Sequence, residues 1–506
     1  MSLAGVLPSS LFKEVRALAL PSLTCLACML VPVALDAPWV LGGISIPAYF
    51  LGTAALGALS IGHEYSARTL SLLLSLPARR ERILAVKLGV LAAALLLLWF
   101  VARSFVFAIA HAPRAEQQMA ALVPVLCGLF VAPWLTMACR NPIAGTVFTV
   151  ALPGILLVAG ELIGIAKYGP GPEMSAFRMA FVWFGTLGFC ATGGVMSWWL
   201  FKRLEVIDGP GQHVGLPQWV RPQSPAGASA QSLTTRNPVW LLVRKELRIQ
   251  QLPLVLAALY VLEWPAVIWL ASTSNWTYGY VFSSLTILHT GLLSILIGTA
   301  ASASEREMGT LEWQVLLPMR AAKQWAIKAS VVLVLTVLLG LVLPISLLKV
   351  TSVPGALDPV SFPLTTAVAG VMLLATGGLY VSSLCRSPLW ALLMALPVVL
   401  GSTIFLRLAF GSVRPAAVIA ANQFVGMTAG GGLGRNTEAQ IMNAITLAMI
   451  GGLIAILLRF GFVNHRSTDR VASRVWKQAI VVAAFAMVTV IAVSIMVAIR
   501  LIQYPF

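Results

Sequence analysis

Two short polar stretches interrupt a chain made mostly of apolar runs. GHEYSARTLSLLLSLPARR begins at Gly62 and SEREMGTLEWQVLLPMR begins at Ser304. With Pro77 laid on Pro318, Glu64 falls on Glu305, Thr69 on Thr310 and Leu70 on Leu311. The same register pairs Arg79 with Arg320 and Lys87 with Lys328. A carboxylate, a hydroxyl and a guanidinium on a short helix closed by proline can meet a partner protein. They do not complete a catalytic set. HEYSA at His63 starts like a zinc-protease helix but has Ala67 where the second histidine belongs, and the five histidines are scattered. The chain has no G-x-x-x-x-G-K-[ST] phosphate loop, and TAGGGLGR, ending at Arg435, lacks the lysine. The expectation is therefore docking, without a metal site and without an ATPase site in this chain.

Composition dictates what must position these stretches. Hydrophobic residues make up 59% of the 506-residue chain and charged residues 10%, against about 25% charged in soluble domains. Apolar runs of about 18 residues or more recur, each able to cross about 30 Å of hydrocarbon as a helix. The reading is an all-α polytopic membrane protein. Spans are expected near 18–35, 43–61, 83–110, 116–138, 143–165 and 179–201, then near 253–271, 279–302, 324–349, 362–384, 389–410 and 440–461. A further run at 479–500 has no partner in the first half, which makes about 13 spans in all.

Other landmarks repeat as well. FKEVR at Phe12 answers RKELR at Arg244, pairing Lys13 with Lys245, Glu14 with Glu246 and Arg16 with Arg248; CRNP at Cys139 answers CRSP at Cys385. Six spans per half is an even number, so the halves form parallel repeats about an axis along the membrane normal. The expected units are a first permease half (1–204), a flexible linker rich in Pro, Gly, Ser and Gln (205–238), a second half (239–465) and the extra helix (466–506).

The formal charge of +17 does not indicate nucleic acid, because the basic residues alternate in density between spans. With a cytosolic amino terminus, the cytosolic side holds roughly 25 of the 34 basic residues, as the positive-inside rule requires. The carboxyl terminus is then external. The FKEVR and RKELR stretches have apolar positions at helical spacing and charges on the other face, the pattern of an interfacial helix preceding a span. The six cysteines lie in apolar runs or at helix ends, so no disulfides are expected. Charges near or within spans that invite a coupling role include Glu263, Arg103, Glu161 and Arg407. Aligning CRNP with CRSP sets Glu161 opposite Arg407, a candidate pair holding an outer gate shut.

The order basic interfacial helix, two spans, Glu-x4-Thr-Leu, Pro-x-Arg, Lys, then four more spans resembles type-2 ATP-binding-cassette exporter permeases, in both halves. The resemblance implies that Lys13, Glu14, Arg16, Lys245, Glu246 and Arg248 lie in elbow helices. It implies that Glu64, Thr69, Leu70, Pro77 and Arg79, with Glu305, Thr310, Leu311, Pro318 and Arg320, form coupling helices that dock on the ATPase. Arg68 stands where Gly309 stands in the second copy, so unequal docking sites are expected. The implied partners are two ATPase subunits, which carry ATP and magnesium, together with membrane lipid. The implied function is ATP-driven export of a hydrophobic or amphipathic cargo across the cell membrane by alternating access. An ion-coupled secondary transporter with parallel repeats and a non-transporting membrane scaffold are the alternatives.

Overall fold

The computed structural model describes residues 6–34, 44–67, 69–70, 75, 79–107, 114–169, 172–203, 238–273, 279–310, 319–351, 364–404, 433–467 and 472–503. Every element among them is helical. The linker expected at 205–238, apart from Pro238, lies outside the described residues, as do Arg68, Pro77, Leu311, Pro318 and Arg407.

The helices fall where hydropathy places apolar runs, although fewer than the expected 13 reach spanning length among the described residues. In the first half α1 is Val6–Ala34, α2 Ile46–Ser66 and α3 Arg80–Val101, the last continued by a π-helical turn at Ala102–Val106. Helix α4 runs from Arg114–Leu126 through a π turn at Cys127–Val131 into Ala132–Cys139; α5 is Pro142–Tyr168 and α6 Pro172–Lys202. The second half has α7 Pro238–Ile249, α8 Gln251–Thr273 and α9 Gly279–Met308. Helix α10 runs from Ala321–Val337 through a π turn at Leu338–Val342 into Leu343–Thr351. Then come α11 Leu364–Leu384, α12 Pro388–Ile404, α13 Leu433–His465 and α14 Ala472–Gln503. Ten helices among the described residues are long and apolar enough to cross a membrane. The chain is an all-helical, multi-pass membrane protein.

Local sequence explains the helix starts. CRNP ends α4 and begins α5: Arg140 adopts a left-handed conformation (φ 49°), and the Asn141 side chain accepts from the backbone N–H groups of Ile143 and Ala144 at 2.9 and 3.2 Å. Pro142 then fills the first helical position, where no N–H is needed. CRSP works alike, with Ser387 accepting from Trp390 N–H at 3.4 Å ahead of Pro388. Arg79 and Arg320 precede α3 and α10 with nearly the same extended backbone (ψ 130° and 131°).

One element departs from expectation. The first interfacial stretch is not a separate helix, since α1 continues unbroken from Val6 to Ala34. In the second half α7 and α8 are divided at Gln250, whose side-chain amide donates to the Ile297 carbonyl at 3.0 Å. Gln250 bonds out to α9 where the first copy has the buried apolar Leu18, so only the second copy has a polar anchor at the break.

Packing concentrates on α2 and α9. Helix α2 contacts α1, α4 and α5, and α9 contacts α11 along its length. Lipid is as apolar as leucine, so close approach of backbones, not burial of apolar area, favours such contacts. A Cβ on Gly57 would sit 2.0 Å from the Gly128 carbonyl oxygen, and one on Gly298 would sit 2.3 Å from that of Ala375. Gly57→Ala and Gly298→Ala are each expected to cost about 1–3 kcal/mol, the usual penalty of overpacking. Gly89→Ala, with nothing within 4 Å, serves as the control. Thermal unfolding in detergent checks this, and equal midpoints for all three variants would contradict it.

One of the buried clusters draws on both halves. Leu296, Leu389, Leu392 and Leu396 join Ala55, Leu59, Leu91 and Leu95 in a single buried cluster. Outward faces are apolar: Phe100, Phe184 and Trp476 are largely exposed. At the end of α6, Lys202 lies over the Trp198 ring at 3.7 Å and Arg203 over Trp199 at 4.3 Å, the pairing of cation and indole found at a membrane interface.

Candidate functional site: two buried ion clusters

Lysine 87 is the centre of the first site. It lies two turns into α3, and its side chain is 1% exposed. Its ammonium donates to Glu14 on α1 at 2.6 Å, to Glu64 on α2 at 3.1 Å and to the Ser60 carbonyl at 3.3 Å. Lys13, at the rim, reaches the same Glu64 oxygen at 2.9 Å. The Thr69 hydroxyl donates to the other oxygen of Glu64. An isolated buried ammonium is very costly, and only full pairing offsets its desolvation. Two lysines and two glutamates make the set electroneutral.

The second site repeats this arrangement around Lys328, whose side chain is 0% exposed. Its ammonium lies 2.7 Å from Glu305 on α9, 3.1 Å from Glu246 on α7 and 3.1 Å from the Ala301 carbonyl. Lys245 at the rim pairs with Glu305. Burial pushes the Glu246 carboxyl above the usual carboxylate range; Lys328 opposes this, while the neighbouring Glu305 adds to it.

The clusters differ at their edges. Thr310 donates to the backbone carbonyl of Glu305 at 3.3 Å, leaving the carboxylate to the lysines. His63 lies 3.1 Å from Glu64 in the first site, and Ser304 stands at the matching position in the second. Glu14, His63 and Glu64 offer ligand atoms within 4.8 Å of one another. The Lys87 and Lys13 ammoniums already sit against those carboxylates, so a divalent cation would enter against two positive charges. The donor set suits lysine, not a metal.

These distances redistribute the residues singled out in the sequence. Lys13, Glu14 and Glu64 meet in one cluster, and Lys245, Glu246 and Glu305 in the other. Arg16 and Arg248 point outward and are exposed, as are Arg79 and Arg320; Thr69, Leu70 and Thr310 are half-buried. The glutamates of the two polar stretches were expected to face a partner. Instead Glu64 and Glu305 are both 0% exposed, turned inward because each lies on the last turns of a helix beside a buried lysine. Glu161 bonds to Arg178 on α6 at 2.6 Å, while its expected partner, Arg407, lies outside the described residues. Arg178→Glu is expected to cost about 3 kcal/mol, since it leaves Glu161 facing a like charge. The swap Glu161→Arg with Arg178→Glu should recover most of that loss in a detergent unfolding assay. A double variant no better than the single one would exclude a direct pairing.

What the sequence reading understated is the pair of lysines. Lys87 and Lys328 fall in register, and hydropathy alone assigns each to the start of a span. A basic residue two turns inside an apolar run, matched by another in the like run, is the signal that pointed to them. Mechanically, the first cluster ties the amino-terminal part of α1 to the end of α2 and the start of α3, and the second ties α7 to the end of α9 and the start of α10. Displacement of the α2–α3 connection must therefore load α1, and displacement of the α9–α10 connection must load α7. No family model, no curated protein and no solved structure matches the chain.

Proposed function

We propose that the chain is the transmembrane permease of an ATP-driven exporter, two half-permeases fused into one, working with separate ATPase subunits. The observation that carries this reading is the pair of ion clusters. Each clamps an amphipathic stretch to both ends of a connection that a coupling segment would occupy, at matching sequence positions. A contact between the halves gives further support: the Ser66 hydroxyl donates to Glu307 at 2.5 Å. In the register that pairs Glu64 with Glu305, Ser66 and Glu307 are the same position, and equivalent positions meet only near a twofold axis.

In this reading the clustered ends of α2, α3, α9 and α10 face the cytosol. ATP binding closes two cassettes, the segments after Ser66 and Met308 move with them, and each cluster passes the motion into the bundle as a rigid unit. Buried ion pairs suit this role because their geometry is specific even where their net stabilisation is small. The cargo is hydrophobic or amphipathic, matching the apolar helices that would line the path, and the membrane is the cell membrane.

The test is purification from the native cell in mild detergent. An ATPase subunit should accompany the chain, and cargo movement in vesicles should require ATP. Isolation without an ATPase, with transport driven by an ion gradient, would replace this reading by an ion-coupled transporter.

A further inference from the structure

The extra helix α14 is fastened by polar contacts that the apolar sequence around it does not suggest. Gln478 is 4% exposed and Asn464, on α13, is 3% exposed. Their side-chain amides face each other: Gln478 Nε2 donates to Asn464 Oδ1 at 2.9 Å, and Asn464 Nδ2 donates to Gln478 Oε1 at 3.3 Å. The pair is further bonded to α11, where Tyr380 donates its hydroxyl to Gln478 at 3.1 Å and Ser383 accepts from Asn464 at 3.2 Å. Below it, the Phe485 ring sits where a Cβ on Gly452 would stand, 2.8 Å from that position.

The network does not end at α13. The backbone carbonyl of Asn464 accepts from the Arg306 guanidinium at 3.3 Å. Arg306 is the residue after Glu305, the acid that anchors Lys328. One turn back on α9, the backbone N–H groups of Ser302 and Ala303 approach Ser382 Oγ on α11 at 2.7 and 2.9 Å. A continuous set of buried bonds thus joins the last helix to the end of α9. In the first half the end of α6 is tied instead to the start of α3, where the Arg80 guanidinium donates to the Lys202 carbonyl at 2.6 Å.

We infer that α14 braces the second of the two polar segments, with Gln478 and Asn464 as positioning residues that hold the Glu305 end of α9. In a low-dielectric setting these amides have no water to fall back on, so loss of one partner leaves the other unsatisfied. That the braced segment docks an ATPase rests on the proposed function; the bracing does not.

Hydrogen exchange of the full chain in lipid nanodiscs, without nucleotide or partner, separates the two. Gln478→Leu is expected to speed exchange of amides in 304–310 by about threefold, the scale of one interhelical bond in a bilayer. Exchange in 63–70 should be unchanged. The exchanged pair, Asn464→Gln with Gln478→Asn, restores the amide contact and should return 304–310 to the wild-type rate. Should Gln478→Leu fail to fold, Tyr380→Phe removes a single donor and should give a smaller rise confined to 304–310. Unchanged exchange in both segments, or an equal rise in both, would overturn the brace. Neither result would bear on whether an ATPase binds.

Discussion

Lys328→Met will be one of the most damaging single substitutions in the chain. It leaves Glu246 and Glu305 in a buried site with only Lys245 to balance them, and breaking one side of a buried ion pair typically costs about 3–5 kcal/mol. Lys87→Met is expected to behave alike, because Glu14 and Glu64 then share Lys13. The logic of charge balance supplies the control. Lys328→Met combined with Glu246→Leu leaves one lysine and one glutamate, so the double variant should regain much of the stability. Lys13→Met, at the half-exposed rim, should cost less than about 1 kcal/mol. Detergent unfolding midpoints and the monodisperse fraction on size exclusion read all four. Lys328→Met within about 0.5 kcal/mol of wild type, or a double variant no better than the single, would show that the ammonium is not the keystone of the site.

The second large effect concerns coupling. If the chain is the proposed permease, Glu305→Ala with Thr310→Ala in a complex reconstituted with ATPase subunits is expected to keep ATP hydrolysis while transport falls by about tenfold or more, the loss of ~1.4 kcal/mol of coupling free energy. With Glu305 gone, α9 loses its charged link to α7 and α10 but keeps the Lys328 bond to the Ala301 carbonyl, so much of the motion of the segment dissipates locally. Glu64→Ala with Thr69→Ala should be milder. Glu14 still holds Lys87 at 2.6 Å in the first cluster, whereas the closest carboxylate contact of Lys328 is Glu305 itself. Full ATP-driven transport by the combined four-site variant would remove the coupling role from both segments.

Much of this could be read in the chain, and the gaps have physical reasons. Helix positions were legible because a bilayer demands long apolar runs, which survive any detail of packing. The matched acids and bases were legible too, since register is a property of sequence. What could not be read is which way a side chain turns. Glu64 and Lys13 are 51 positions apart, and nothing local tells a carboxylate at a helix end whether it faces solvent or a buried lysine. The unbroken course of α1 escaped for a related reason. Its Lys-Glu-x-Arg core matches that of α7, and only the amide of Gln250, bonded to a residue far along the chain, distinguishes a divided helix from a continuous one. Asn464 and Gln478 carry no local sequence signal, because their value lies in facing each other.

If the two halves are the proposed repeats about a twofold axis, the contact between Ser66 and Glu307 carries a consequence for ancestry and design. In an assembly of two identical chains, a residue at the axis meets its own copy, so every such position must tolerate itself. Serine against serine is harmless. Glutamate against glutamate, in a half-buried setting, is a repulsion that self-pairing could not shed. One polypeptide holding both sides is free of that constraint and can place a donor opposite an acceptor. The second half cut away and paired with itself would bring two Glu307 carboxylates together, so the divided protein should reassemble as unlike halves in preference to twins.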